Sequence, residues 1–251
     1  LRGTLHGEVS LRHLSNMASG AEIVHASEDY AVLYPRCFTD ADADLATLVA
    51  SWNKKAEGKA GRPGSTFNYN ELCPLTVGLV IQHASGMSLS EFAQEVLWQK
   101  IGAEADAVWS TDSKGKEFCC VGFGARLRDW ARVAQLVAQR GYMNGQRVVS
   151  EAWIDEITSW SPEDTAGLWA RDKHANSTLL LEQGVLGVGY KSFFWHHKAD
   201  GSQPVFSGHN GQMIIVDMPS ETVLVMTGVS EEGAWLIELM AIMQGAINHR
   251  T

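Results

Sequence analysis

Two short segments contain side chains that could transfer protons. Residues 67–71 read Phe-Asn-Tyr-Asn-Glu, and residues 207–212 read Ser-Gly-His-Asn-Gly-Gln. A histidine exchanges a proton near neutral pH, whereas a free tyrosine, with a pKa of about 10, needs neighbouring positive charge to do so. Taken alone, each has an ordinary structural interpretation: Tyr69 as an aromatic residue at a loop-to-helix junction, and His209 as a turn residue.

Other common catalytic motifs are absent from the sequence. It has no G-x-S-x-G nucleophile elbow, no P-loop, no dinucleotide-binding G-x-G-x-x-G and no H-E-x-x-H zinc motif. His196 and His197 are neighbours, and neighbouring residues of a strand face opposite sides, so the pair does not suit one metal ion. We therefore expect neither a metal nor a cofactor.

The composition is that of a folded globular chain. Its 251 residues are 45% hydrophobic and 20% charged, which is enough to bury a sizeable core. No apolar run approaches the roughly 18 residues of a membrane-spanning helix, so we expect no membrane span. The net charge of −9, with scattered Lys and Arg, argues against a general nucleic-acid binder. The four cysteines contain no C-x-x-C pair, so a zinc ribbon has no support.

The elements that would position these segments follow from hydrophobic periodicity. Apolar residues at helical spacing predict helices near 10–20, 45–52, 72–81, 88–102, 127–141, 150–157 and 232–248. Ser88 and Glu91 form a candidate capping box. Short β-prone runs at 187–197, 213–216 and 223–226 predict strands, the last two joined by a hairpin turn.

This order predicts the fold class. A helix-rich body followed by antiparallel strands and a covering helix is typical of an α+β fold rather than of alternating βαβ units. We expect a mainly helical lobe over residues 1–175. Residues 176–251 would supply the antiparallel strands and a C-terminal helix, joined to the lobe as one unit.

Residues 67–71 and 207–212, together with other segments in their order along the chain, resemble motifs of the serine β-lactamase and D-Ala-D-Ala-peptidase superfamily. Within it, the chain is similar to the β-lactamase-related esterases and the 6-aminohexanoate-dimer hydrolases. Residues 11–20 are similar to the R-H-L-L-x-M-T-S-G segment of that group, and residues 122–132 to its G-G-x-x-A-T-x-R-D-x-A-R segment. Residues 187–190 are similar to a G-Y-G-Y segment that begins a strand. The resemblance implies a β-lactamase/transpeptidase-like fold, with a helical lobe and an antiparallel sheet covered by the C-terminal helix.

The resemblance also implies a mechanism. The family cleaves amides or esters through a Ser nucleophile, activated by a Lys three residues later and by a Tyr. Tyr69 matches the Tyr of the family's Y-x-N motif and would relay protons. His209 matches the K-T-G or H-x-G strand and would donate a hydrogen bond or partial charge near the Tyr. The backbone N–H of Gln212 would be one oxyanion-hole donor.

The same resemblance names residues that would contact the substrate. Gly211 would let the substrate approach the strand backbone closely. Glu71 stands where the family more often has Asn, and its carboxylate would oppose a phenolate on Tyr69. The remaining expected contacts are Glu28 and Tyr30, which match an E-x-Y loop, together with Tyr190, Trp195 and Asn210.

The nucleophile is the main departure from the family pattern. In the family, S-x-x-K precedes the R-H-L-L segment, a region that has no counterpart in this chain. The two S-x-x-K matches, Ser51 to Lys54 and Ser113 to Lys116, lie elsewhere and are interpreted as chance. We therefore expect Ser and Lys, with the first strands of the sheet, to come from a segment upstream of residue 1.

The sequence is compatible with three functions. The first is a serine hydrolase acting on a small-molecule amide or ester. The second is a non-catalytic binding protein of the same fold, favoured by Glu71 and by the missing Ser. The third, a metal-dependent hydrolase using His196, His197 and His209, is the least favoured. The sequence leaves open whether the chain forms a homo-oligomer and whether it is located in the bacterial cytoplasm or periplasm.

Overall fold

The computed structural model describes residues 1–22, 36, 39–40, 42, 44–159, 189–198, 200–208, 211–228 and 235–249. In these residues the helices are α1 (Leu11–Ser15), α2 (Leu45–Ser51), α3 (Leu72–Ser85), α4 (Leu89–Ala93), α5 (Leu127–Ala138), α6 (Glu151–Ile157) and α7 (Trp235–Asn248). The strands are β1 (Val108–Trp109), β2 (Phe123–Gly124), β3 (Tyr142–Met143), β4 (Gln146–Arg147), β5 (Gly189–Lys191), β6 (Phe194–His196), β7 (Pro204–Ser207), β8 (Met213–Asp217) and β9 (Thr222–Met226). Each helix overlaps a stretch predicted from the sequence.

The chain divides into two compact units. The first unit comprises Leu1–Glu95 and Ala107–Gly124, and the second comprises Val96–Asp106 and Ala125–Thr251. This division groups α5 and α6 with the sheet, whereas the sequence placed them in a helical lobe over 1–175. The boundary expected at residue 175 lies outside the described residues and stays a prediction.

Carboxylates cap two helices of the first unit, α2 and α4. The Asp44 carboxylate accepts an amide of the first turn of α2 at 2.7 Å. Ser88 and Glu91 form the predicted capping box of α4, and the Glu117 carboxylate accepts the first two amides of that helix at 3.2 and 3.0 Å. Because the first amides of a helix have no partner within it, these carboxylates satisfy donors that burial would otherwise leave unpaired. The apolar core of this unit is Leu5, Ala21, Leu45, Leu48, Val49, Trp52, Leu72, Leu75 and Phe118.

The second unit is built on a five-stranded antiparallel sheet in the order β5-β6-β7-β8-β9. Successive residues of β8 face opposite sides of the sheet. Ile214 and Val216 pack with residues of α5 and α6, whereas Met213 and Ile215 pack with residues of α7. A strand buried on both faces explains why the run over 213–216 is continuously apolar rather than alternating.

The helices give no single candidate for a membrane span. Among the described residues, no helix by itself is long and apolar enough to cross a membrane. Only the pair formed by Leu72–Ser85 and Leu89–Trp98, bent by 78°, reaches the necessary length and composition when its members are taken together.

Candidate active site

The loop before α3 holds Tyr69 between two anchored asparagines. The Asn68 side-chain nitrogen donates to the carbonyl oxygens of residues 21 and 22 at 3.0 and 3.2 Å. Asn70 is 0% exposed; its Nδ2 donates to the Asn68 carbonyl at 2.7 Å, and its Oδ1 accepts the Cys73 amide at 3.1 Å. Tyr69 itself remains 41% exposed. Its backbone is therefore fixed on both sides while the residue stays partly exposed.

The segment after α1 is a direct neighbour of this loop. The Asn68 amide donates to the Met17 carbonyl at 2.7 Å. Gly20 has a φ of +79°, and a Cβ there would lie 2.7 Å from the carbonyl oxygen of residue 61. Only glycine combines this backbone conformation with so close an approach. Residues 11–20, which are similar to the family segment, therefore help to position the loop that carries Tyr69.

The surroundings of Tyr69 favour its protonated form. Burial raises the pKa of Tyr69 above its usual value of 10, and the charges of Glu71 and Cys120 raise it further. The phenol is therefore protonated at neutral pH. The raised pKa also makes the phenol a weaker acid, so giving up its proton, like accepting one in the phenolate form, would require added positive charge nearby.

Sequence reasoning missed Cys120. The turn that contains it packs against α3, where a Cβ on Gly78 would lie 2.8 Å from the Cβ of Cys119. Cys120 is half-buried and packs against the core of the first unit. No local signal in the sequence could have placed it near Tyr69, because the contact depends on how the β1–β2 segment packs.

Gln212, whose backbone N–H is expected to be an oxyanion-hole donor, lies in the connection between β7 and β8, and that role stays a prediction. Ser207 pairs with Met213 at the end of the two strands, and the Gly208 amide donates to the Gln212 carbonyl at 2.8 Å. Gly211 has a φ of +82°, a left-handed conformation that favours glycine. His209 and Asn210 lie outside the described residues, so their expected roles stay predictions.

Tyr190 and Trp195 form a cross-strand pair. They lie opposite each other on β5 and β6, with ring centroids 4.8 Å apart in an edge-to-face arrangement. Tyr190 is only 2% exposed, and Trp195 packs against the core on the α7 side of the sheet. Both contribute to packing, and their contact with a substrate stays a prediction. Glu28 and Tyr30 lie outside the described residues.

The two S-x-x-K matches have local structural roles. Ser51 ends α2, where its hydroxyl donates to a carbonyl one turn back at 2.8 Å. The Lys54 ammonium lies 5.8 Å from the centroid of the Trp52 ring. Ser113 follows Asp112, whose carboxylate closes a turn by accepting the amides of residues 114 and 116 at 2.9 Å. These roles suit the interpretation of both matches as chance, which stays a prediction.

The described part of the chain offers no group of three His, Cys, Asp or Glu residues that could hold one metal ion. His196 is fully buried, with its Nδ1 3.3 Å from the Gly201 carbonyl oxygen. The third member of the alternative metal set, His209, lies outside the described residues.

Comparisons with known proteins point to one fold. No family model matches the chain. It is 31% identical over 78 residues to 6-aminohexanoate-dimer hydrolase from Paenarthrobacter ureafaciens, a match that covers 31% of this chain and 20% of that protein. A Bacillus anthracis structure provisionally named 6-aminohexanoate-dimer hydrolase superposes with a TM-score of 0.75 at 24% identity, covering 99% of this chain and 63% of the other. A Bacteroides dorei structure provisionally named β-lactamase gives 0.65 at 15% identity, covering 98% and 74%.

The names of these proteins agree with the expectation of a hydrolase. The chain nevertheless spans less than two thirds of the length of the first two. The expected α+β architecture is confirmed by the structural matches, and the resemblance carried by the motifs is confirmed by the sequence match. The chain therefore has a β-lactamase/transpeptidase-like fold, with sequence similarity to a 6-aminohexanoate-dimer hydrolase over 78 residues.

Proposed function

We propose that the complete protein is a serine hydrolase that cleaves an amide or ester through an acyl-enzyme. The Ser hydroxyl gives its proton to the assigned Lys as its oxygen attacks the carbonyl carbon, the bond to the leaving oxygen or nitrogen breaks, and the leaving group takes up a proton from Tyr69. Water then hydrolyses the acyl-enzyme to the free acid and restores the Ser. The nucleophilic Ser and its Lys are assigned to a segment of the complete protein that precedes Leu1.

Tyr69 is the proton donor to the leaving group in this proposal. The observation that carries it is the anchored loop, which fixes the backbone on either side of Tyr69 and leaves the residue 41% exposed. The raised pKa of the phenol keeps it protonated when the leaving group departs. The positive charge that the assigned Lys gains from the Ser proton would stabilise the phenolate left by this donation, and the phenolate takes a proton back from the water that hydrolyses the acyl-enzyme, which restores the phenol for the next cycle.

Backbone N–H groups would stabilise the oxyanion that forms when the Ser attacks. The Gln212 backbone N–H is assigned as one donor, and the N–H of the nucleophile as the other. The loss of one such donor typically costs about 10²–10³ in rate. Gly211 is assigned to admit the substrate backbone, and His209 to polarise the region of the Tyr.

Turnover by the complete protein tests this function. We expect hydrolysis of p-nitrophenyl esters and of 6-aminohexanoate dimer, and covalent labelling by a serine-directed fluorophosphonate. The label should map to a Ser followed three residues later by Lys. The absence of both turnover and labelling would reject the proposal.

A non-catalytic binding protein is the second candidate. Glu71 favours it, because a carboxylate two residues from Tyr69 opposes formation of the phenolate. For this candidate we expect saturable binding of an amide or ester, measured by the quenching of tryptophan fluorescence. We expect neither turnover nor fluorophosphonate labelling.

A further inference from the structure

A cleft of about 350 Å³ opens in the second unit where α5 ends. It is bounded by the carboxyl end of α5, by the β3–β4 hairpin and by the turn before β9. The buried members of its lining, Ala138 and Met143, give it an apolar floor. This volume, with an apolar floor and a few polar groups around it, is typical of small-molecule sites in proteins. None of its lining residues is assigned a role in hydrolysis.

The rim of the cleft carries a carboxylate that is available to a ligand. Glu221 is exposed, and in the described part of the chain its carboxylate takes part in no ion pair and no hydrogen bond. The carboxyl end of α5, a helix of 12 residues, adds partial negative charge to the same cleft. Asn144 lines the rim as well. Its Nδ2 donates to the Lys100 carbonyl at 2.9 Å, which leaves Oδ1 as the atom that can accept from a ligand.

Two arginines at the cleft already have partners. The Nε of Arg140 lies 3.2 Å from a carboxylate oxygen of Glu151, and one of its terminal nitrogens binds Asp155. Arg147 donates to the Arg140 carbonyl, and its guanidinium lies 5.6 Å from the centroid of the Tyr142 ring. Because both guanidinium groups are engaged, the charge that the cleft offers to a ligand is negative.

We propose that this cleft binds a ligand that carries an aliphatic ammonium group. The ammonium pairs with the Glu221 carboxylate and donates to Oδ1 of Asn144, while the alkyl chain covers the apolar floor. Tyr142, which is 48% exposed, supplies an aromatic wall, and aromatic rings attract cations. The inference is independent of the proposed function, because it concerns the second unit alone and uses none of the residues assigned to hydrolysis.

The expected affinity is low and the expected effect of the charge is modest. For a ligand with as few atoms as n-hexylammonium we expect a dissociation constant on the order of 1 mM. Exposed ion pairs contribute little, so removal of the Glu221 charge should weaken binding by about two- to fivefold. An uncharged ligand of the same length should not respond to this change, which separates the charge from a general change in the shape of the cleft.

The test is an NMR titration of the complete protein that follows the backbone amides of Asn144 and Gly145. Three ligands with the same number of carbon atoms are compared: n-hexylammonium, 1-hexanol and hexanoate. We expect saturable shifts with n-hexylammonium, weaker binding of 1-hexanol and the weakest binding of hexanoate. Glu221→Gln should weaken n-hexylammonium by about two- to fivefold and leave 1-hexanol unchanged. Glu238→Gln removes the same charge from an exposed position of α7, on the opposite face of the sheet from α5, and should change neither.

Several outcomes would overturn the inference. These are the absence of saturable shifts with n-hexylammonium, equal binding of hexanoate, an unchanged affinity in Glu221→Gln, and an equal loss in Glu238→Gln. Ester turnover should be the same in Glu221→Gln and in the wild type, so this inference and the proposed function can fail separately.

A fourth ligand identifies the source of the ammonium group. N-acetyl-lysine methylamide carries the same group on a peptide unit. Binding as tight as that of n-hexylammonium would assign the cleft to a lysine side chain of a polypeptide, and weaker binding would assign it to a free amine.

Discussion

Tyr69 and Gln212 are held in opposite ways. Tyr69 offers a side chain, and the groups that fix it are the amides of its two neighbours, Asn68 and Asn70, bonded to backbone atoms of the first unit. Gln212 offers a backbone N–H in the strand connection of the second unit, where the Gly208 amide bonds to its carbonyl. The first arrangement depends on residue identity at three successive positions, whereas the second depends on strand pairing and tolerates a change of side chain.

The two units repeat this difference in their cores. Carboxylates such as Asp44 and Glu117 cap helices in the first unit, and each contributes through a few buried hydrogen bonds. The sheet of the second unit is fixed by apolar residues on both faces of β8. Polar hydrogen bonds therefore hold the helix ends of the first unit, and apolar burial holds the sheet of the second.

The largest effect is expected from Tyr69→Phe. Removing the hydroxyl takes away the proposed proton donor, and general acid–base catalysis typically contributes about 10²–10⁴ in rate. We expect kcat/KM to fall by that range with little change in the free energy of unfolding. Tyr142→Phe, which alters an exposed tyrosine of the second unit, serves as the control. Full activity of Tyr69→Phe would remove the role given to this side chain.

Acid should weaken both units through a histidine of lowered pKa in each. Burial lowers the pKa of His6, in the first unit, to about 4. Burial and the neighbouring His196 lower the pKa of His197, in the second unit, to about 4. Because the unfolded histidines bind protons near pH 6.5, the stabilisation is complete above that pH and is lost as the pH falls towards 4, by up to about 3 kcal/mol for each group.

Hydrogen exchange at pH 7 and pH 5 can assign this loss to each unit. In His6→Gln the pH dependence should flatten for amides of the first unit only, and in His197→Gln for amides of the second unit only. Equal flattening in both units by either variant would show that they open together rather than separately.

A smaller effect is expected from Asn70→Ala. The substitution leaves the Cys73 amide and the Asn68 carbonyl without their buried partner, which should lower the free energy of unfolding by about 1–3 kcal/mol. Activity should fall as well, because the backbone of Tyr69 loses one of its anchors. Chemical denaturation and ester turnover measure the two effects, with the exposed Asn248→Ala as the control. An unchanged kcat/KM would mean that the loop keeps its conformation without this anchor.

The smallest effect is expected from Gln212→Ala. The side chain is exposed, and the proposed donor is the backbone N–H, which the substitution preserves. We expect kcat/KM within about threefold of the wild type. A loss comparable to that of Tyr69→Phe would assign the function of Gln212 to its side chain and would remove the contrast between the two regions.

Local patterns in the sequence predicted most of the elements. The spacing of Leu45, Leu48 and Val49 predicted α2, and Ser88 with Glu91 predicted the capping box of α4. The hairpin of β8 and β9 followed from two β-prone runs separated by a turn. These features depend on residues within one or two turns of each other, which is the range over which periodicity and caps operate.

The contents of the site were harder to predict. Tyr69 was found only through the ordered resemblance. The capping of α3 by Asn70 rather than Glu71 agrees with the preference of helix N-caps for asparagine. The place of Cys120 depends on packing between segments distant in sequence. Tyr190 is buried and packs edge-to-face with Trp195. Strand periodicity does not show how deeply a strand residue is buried, and the contact of Tyr190 with a substrate stays a prediction.

A rapid-mixing experiment with the complete protein and p-nitrophenyl acetate tests the central claim most directly. The acyl-enzyme account predicts a burst of about one equivalent of p-nitrophenolate per protein molecule, followed by slower steady turnover, with the acetylated protein detected by intact-mass spectrometry. Tyr69→Phe should slow the burst. The absence of a burst, with the mass of the protein unchanged, would contradict the account.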